Sequence, residues 1–236
     1  MQPELKNFAF SFHELDITVG LVEETMGYGS RQSPDPFPDM IADALGLCEQ
    51  LCDIRGSLFV SGNFSLDLTG SFVVEGVKFS VGKKIARQLK SAEGCGLFIC
   101  TAGAGIGEKS KELMAAGDLM EGYIMDVIGS MSVESAIDKI QDQFEYELTN
   151  QGTKMANRYS PGYCGWALTE QKLFFAMFPK NHCGISLSDS CLMDPVKSVS
   201  GIIAFGTNVK KMAYECQLCE LETCIYRKIR MARHNK

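Results

Sequence analysis

The chain has 236 residues, 45% of them hydrophobic and 22% charged, with a formal net charge of −6. This is a globular balance with length enough for a substantial core, and the acidic excess excludes a surface of clustered Lys and Arg for phosphate, so no nucleic-acid partner is expected. No stretch reaches the ~18 uninterrupted apolar residues of a membrane span, and the opening Met-Gln-Pro-Glu-Leu-Lys has no basic or apolar signal region, which predicts a cytoplasmic protein with no membrane partner.

Phe8-Ala9-Phe10-Ser11-Phe12 alternates at period two and predicts an opening strand. A helical pattern from Leu15 to Met26 stops at Gly27-Tyr28-Gly29, and Ser33 to Pro38 reads as a turn-rich connector. Asp39 is placed to start a second helix through Ala42, Leu45 and Leu51. Cys48 and Cys52 share one face of that helix, where two thiols read better as small core residues than as ligands. Four short strands follow, 57–60, 64–68, 71–74 and 77–81, punctuated by Gly62, Gly70 and Gly76 as in antiparallel hairpins. Lys83 to Lys90 predicts a helix, and the apolar run Gly96 to Thr101 predicts the central strand.

That run leads into Ala102-Gly103-Ala104-Gly105-Ile106-Gly107. A dinucleotide-binding turn would need a third Gly where Glu108 stands, so a glycine-rich strand-to-helix turn is the better reading. Asp126 to Leu148 is the longest helical pattern, with Gly129, Ser130 and Ser132 leaving room for close packing. Glu134 lies two turns in, and a carboxylate there must reach solvent or find a cation.

Arg158-Tyr159-Ser160-Pro161-Gly162-Tyr163 follows. Arg offers a planar fork of donors for a carboxylate and Pro-Gly forces a bend, so the stretch reads as a recognition loop; an ordinary surface turn accounts for the same residues. A helix from Thr169, burying Leu173, Phe174 and Met177, comes after Trp166, the single tryptophan. Gly184 to Ser188 and Ser198 to Gly206 predict two further strands. Strands and helices mix without regular alternation, which predicts an α+β fold with a mainly antiparallel twisted sheet and flanking helices.

In a reducing compartment the ten Cys are expected as free thiols or metal ligands. Cys216, Cys219 and Cys224 form C-x2-C-x4-C. The first pair has ligand spacing, but a closed zinc site or a cubane takes a fourth ligand, so free thiols and a metal or iron-sulfur cluster both stay open. His13, His182 and His234 stand in no known nucleophile or zinc motif. The chain thus shows no self-sufficient acid-base or nucleophilic site, as suits a protein that presents a cofactor chemistry held elsewhere.

Three ordered elements carry a resemblance. Met125 to Ser130 with Glu134 is similar to a long helix with small residues and an internal Glu; Arg158, Pro161, Gly162 and Tyr163 match an Arg-x-x-x-Gly-Tyr element; Pro195-Val196-Lys197-Ser198-Val199-Ser200-Gly201 matches a glycine-bearing start to a strand. Together they resemble the activation (reactivation) domain of cobalamin-dependent methionine synthase, in particular its stand-alone versions. Residues 1–90 resemble only the shorter stand-alone members. The chain departs from the family at Cys164-Gly165-Trp166, where Pro and small residues follow the Tyr, and at Ile202-Ile203, where an aromatic is expected.

The resemblance implies one activation-domain-like domain over 1–236, with a Cys-bearing tail at 214–236. It implies binding of S-adenosylmethionine and reductive methylation of a cob(II)alamin held by a separate corrinoid protein, such as a methionine synthase lacking its own activation domain, in methionine biosynthesis. The electron donor would be a flavodoxin or ferredoxin. Arg158 would grip the ligand carboxylate, Glu134 its ammonium, Pro161, Gly162 and Cys164 would line it, and Tyr163 would flank it or the corrin. Two alternatives stand beside this: a docking module that recognises the corrinoid protein without the methyl donor, and a redox activator using Cys216, Cys219 and Cys224.

Overall fold

The computed structural model describes residues 1–29 and 32–211. Strand β1 (Glu4–Phe10) opens the chain. The helix expected from Leu15 is split: Phe12–Leu15 form a single 3-10 turn that ends on a left-handed Asp16 (φ 54), and α1 is Val19–Met26, capped by Thr18 and stopped by Gly27 at φ 103. Helix α2 (Phe37–Leu51) carries Pro38 in its first turn, where a missing N–H costs nothing. Next come β2 (Ile54–Ser61), β3 (Phe64–Asp67), β4 (Ser71–Val74), β5 (Val77–Ser80), α3 (Gly82–Gln88) and β6 (Gly94–Thr101). Helices α4 (Gly105–Ala116) and α5 (Leu119–Asn150) make a hairpin. The described residues continue through β7 (Lys154–Tyr159), α6 (Gln171–Phe175), the two-residue strands β8 (Ser186–Leu187) and β9 (Met193–Asp194), and β10 (Ser198–Gly206).

Five strands form one antiparallel sheet in the order β1-β2-β6-β10-β7, and β3-β4-β5 form a second antiparallel sheet. The expected α+β class and central strand are both found. β6 is buried at every position because both sheet faces are covered. On one face α1, α2 and α5 pack Ile41, Cys48, Ile128, Ile137, Ile140 and Phe144 onto Leu58, Phe98 and Ile203. On the other, the small sheet, α3 and α6 pack Phe72, Phe79, Ile85, Trp166 and Phe174 onto Leu97, Ile99 and Ile202.

The glycine-rich stretch before α4 is a strand-to-helix turn, as expected, and it is closely packed. A Cβ at Gly103 would stand 3.0 Å from Asp53, and one at Gly105 would stand 2.4 Å from the Leu51 carbonyl oxygen, so the turn is wedged against the corner between α2 and β2. Leu173 is exposed and Met177 only partly buried, whereas Phe174 is fully buried. The helix expected there is one turn of α6 after a 3-10 turn at Leu168–Glu170, too short to present three apolar positions inward.

Candidate functional site

Arg158 lies in β7 and not in a loop; the turn begins at Ser160. Lys154 to Tyr159 has little intrinsic strand preference, and its extended state comes from pairing with β10, Tyr159 opposite Ile202 and Arg158 opposite Ile203. This register turns the Arg158 side chain onto α5. Its Nη2 donates to Glu134 Oε2 at 2.7 Å, and its Nη1 donates to Asp138 Oδ1 and, at 3.4 Å, to Gln141 Oε1. Glu134, Asp138 and Gln141 recur at helical spacing and so share one face of α5. The sheet beneath holds Cys100, close enough to feel both Arg158 and Glu134; burial first, and then the Cys183 thiol, pushes Cys100 up to about 12, which keeps it neutral.

The stretch after β7 is a tight turn. Gly162 N donates to Trp166 O at 2.8 Å, Tyr163 N to Ser160 O at 3.2 Å and Trp166 N to Tyr163 O at 2.9 Å. Gly162, Cys164 and Gly165 all take positive φ (94, 54 and 84). Trp166 anchors the turn, its ring meeting Phe72, Phe79 and Phe174 edge-on with centroids 6.1, 6.5 and 6.5 Å away. Pro161 is buried, Cys164 half-buried and Tyr163 exposed. The Trp at the first departure from the family pattern is thus the residue that holds the turn to the second core.

The Pro195 to Gly201 segment completes the surroundings. β7 pairs with β10 only between Ile202 and Gly206, so among the described residues no strand pairs with Ser198 to Gly201 on that side. Lys197 crosses over Gly129, whose added Cβ would be 3.1 Å from Lys197 Cε, and its Nζ reaches Asp126 Oδ1 at 2.7 Å and Ser130 Oγ at 2.9 Å. The small residues expected to admit close packing admit this lysine. Asp126, Ser130, Glu134 and Asp138 therefore run as a stripe along α5, with the Lys197 and Arg158 contacts about 12 Å apart along the axis. Asp138 and Lys197 were not singled out as contacts from sequence, although the i+4 spacing from Glu134 to Asp138 was a usable signal. Ile202 and Ile203 are fully buried, one in each core, so the second departure from the family pattern concerns packing.

A guanidinium beside a carboxylate is the charge complement of an amino-acid head group, whose carboxylate and ammonium pair with the two in alternation. The site's own residues thus fit a zwitterionic ligand. A cleft at the other end of α5, about 360 Å³ and lined by Glu145, Thr149, Lys154, Met155 and Lys211, has Glu145 and Lys211 joined at 2.8 Å in an exposed pair. Cys216, Cys219 and Cys224 lie outside the described residues. Among the described residues no group of three or more His, Cys, Asp or Glu could hold a metal, and the described cysteines are free thiols.

The family model for the vitamin B12 dependent methionine synthase activation domain matches residues 78–224, more than half of the chain. The chain belongs to that family. The activation-domain match takes in α5, β7, the turn and β10, and so all the site residues named above. Among solved structures, the MetH reactivation domain bound to AdoHcy is similar at a TM-score of 0.62, covering 90% of this chain and 81% of that one at 14% identity. This shows the activation-domain fold, and its coverage reaches into the residues before position 78. No curated protein matches the chain.

Proposed function

We propose that this chain, as one activation-domain unit over 1–236, binds S-adenosylmethionine and presents its methyl group to the cobalamin of a separate corrinoid protein, such as a methionine synthase lacking its own activation domain. The observation that carries this is the direct pairing of Arg158 on β7 with Glu134 on α5, in a chain of the activation-domain family. Arg158 takes the ligand carboxylate and Glu134 its ammonium. The turn from Pro161 to Cys164 closes over the ligand with carbonyls and the exposed Tyr163 ring, both suited to a sulfonium. The partner's corrinoid, once reduced by a donor such as flavodoxin or ferredoxin, would supply the nucleophile that takes the methyl group, with S-adenosylhomocysteine as the leaving group. The setting is the cytoplasm, in methionine biosynthesis; no described helix is long and apolar enough to cross a membrane. A metal or iron-sulfur cluster held by Cys216, Cys219 and Cys224 is a separate proposal, which metal analysis after anaerobic purification decides.

Calorimetric titration with S-adenosylmethionine tests the reading. The wild type binds, and Arg158→Ala loses at least tenfold in affinity, as removal of a charge-assisted pair requires. No binding by the wild type overturns the ligand assignment and leaves docking to the cobalamin-loaded partner without S-adenosylmethionine as the role to test.

A further inference from the structure

Both terminal nitrogens of Arg158 are already engaged, Nη2 by Glu134 and Nη1 by Asp138 and Gln141. A zwitterionic head group brings one carboxylate for Arg158 and one ammonium for Glu134, and so leaves the second carboxylate over. We infer that Asp138 is a built-in competitor for Arg158: it already supplies the negative charge that a ligand carboxylate would bring to this guanidinium, and binding exchanges it into solvent. The inference rests on the reading of Arg158 and Glu134 as an amino-acid site.

The exposures show which contact can exchange. The side chain of Arg158 is 18% exposed while those of Glu134 and Asp138 are 54% and 60% exposed, so the cation is held in place and its carboxylates are hydrated. Exposed pairs of this kind contribute little, and release restores the hydration of the Asp138 carboxylate, so little is lost on exchange. Lys197 on the same stripe is 9% exposed and held by both Asp126 and Ser130, and it stays paired. A bidentate carboxylate takes two parallel N–H groups of one guanidinium, and with Glu134 on Nη2 and Asp138 on Nη1 the single positive charge is already matched by two carboxylates, so a third binds well only as these give way. The competitor also sets specificity. A simple carboxylate gains only what Asp138 already supplies, whereas a ligand that adds an ammonium for Glu134 outbids it.

The test is calorimetry on wild type, Asp138→Asn and Asp138→Ser at one ionic strength, with S-adenosylmethionine, S-adenosylhomocysteine and 5′-methylthioadenosine, which lacks the amino-acid head. Both variants, with unchanged melting temperatures, are expected to bind the first two ligands about two- to fivefold more tightly and 5′-methylthioadenosine unchanged. Unchanged or weaker binding of both amino-acid ligands overturns the inference. So does equal tightening of 5′-methylthioadenosine, or weakening of S-adenosylmethionine alone, which places Asp138 on the sulfonium. If wild type binds and the variants fail to tighten, only the competitor falls. If wild type and variants all fail to bind, the ligand assignment falls with it.

Discussion

Gly201 sits where β7 ends against β10, and a Cβ there would come within 2.4 Å of the Tyr159 carbonyl oxygen and 2.6 Å of the Phe98 ring. Neither neighbour can yield, because one is backbone and the other is core. Gly201→Ala should therefore cost about 1–3 kcal/mol, read as a lower urea midpoint, and should weaken ligand binding because Tyr159 leads directly into the turn. Gly107 is the control. It lies inside α4 with nothing within 4 Å of an added Cβ, so Gly107→Ala should stabilise by up to about 1 kcal/mol. At this scale the sequence had singled out Arg158, Glu134 and Gly201, and the structure pairs the first two directly. What the sequence left undetermined was direction, since only the β7–β10 register turns Arg158 toward α5 and its second carboxylate.

Among the elements, the N-terminal ones are tied down by carboxylates that accept hydrogen bonds. Glu23 on α1 accepts from Ser33 Oγ at 2.6 Å and Ser33 N at 2.9 Å, and Glu14 accepts from Ser11 N at 2.6 Å and Ser11 Oγ at 2.8 Å in a capping box. These bonds hold both carboxyls below their ordinary range, the Ser33 hydroxyl being the larger cause for Glu23 and the Ser11 backbone for Glu14. A carboxyl whose folded pKa is depressed gives stability that is present above its unfolded value, about 4.3, and is lost as pH falls through the folded value. Urea unfolding should show Glu23→Gln less stable than wild type at pH 7, with the gap closing below about pH 4. A gap that stayed constant with pH would count against this linkage. Elements with their own signal, such as α5, β6 and β10, were legible from apolar period or run length. β7 was not, because its extended state is imposed by its partner, and the first helix was over-read because Asp16 takes a left-handed conformation that no periodicity reveals.

For the whole molecule, the two cores on opposite faces of one sheet divide the thiols by environment. Burial pushes Cys48 up to about 12, Cys52 up to about 11 and Cys100 up to about 12, and raises Cys95 further. Only the thiolate alkylates readily. Brief iodoacetamide treatment at pH 7.5 should leave these four unmodified in the native protein and label them in guanidinium, as read by peptide mass spectrometry. Labelling of Cys100 in the native state would mean that the sheet beneath Arg158 is open to solvent. The fold class could be read from the mixture of elements, while the separation of β3-β4-β5 from the main sheet could not, because the short strands 64–80 carry the same hairpin pattern whether they join the main sheet or leave it.

The strand order β6-β10-β7 has a consequence for how the chain assembles. β10 lies between the other two yet follows both in sequence, so a nascent chain ending before Ser198 has made Arg158 but has no strand for β7 to join. The strand pairings that position the guanidinium, β7 on β10 and β10 on β6, span long sequence separations and close late, after the hairpins of residues 64–80 and the α4–α5 hairpin have formed locally. On the proposed function, ligand binding would report on completion of the sheet, because a shortened chain lacking β10 loses the strand whose register turns Arg158 toward α5.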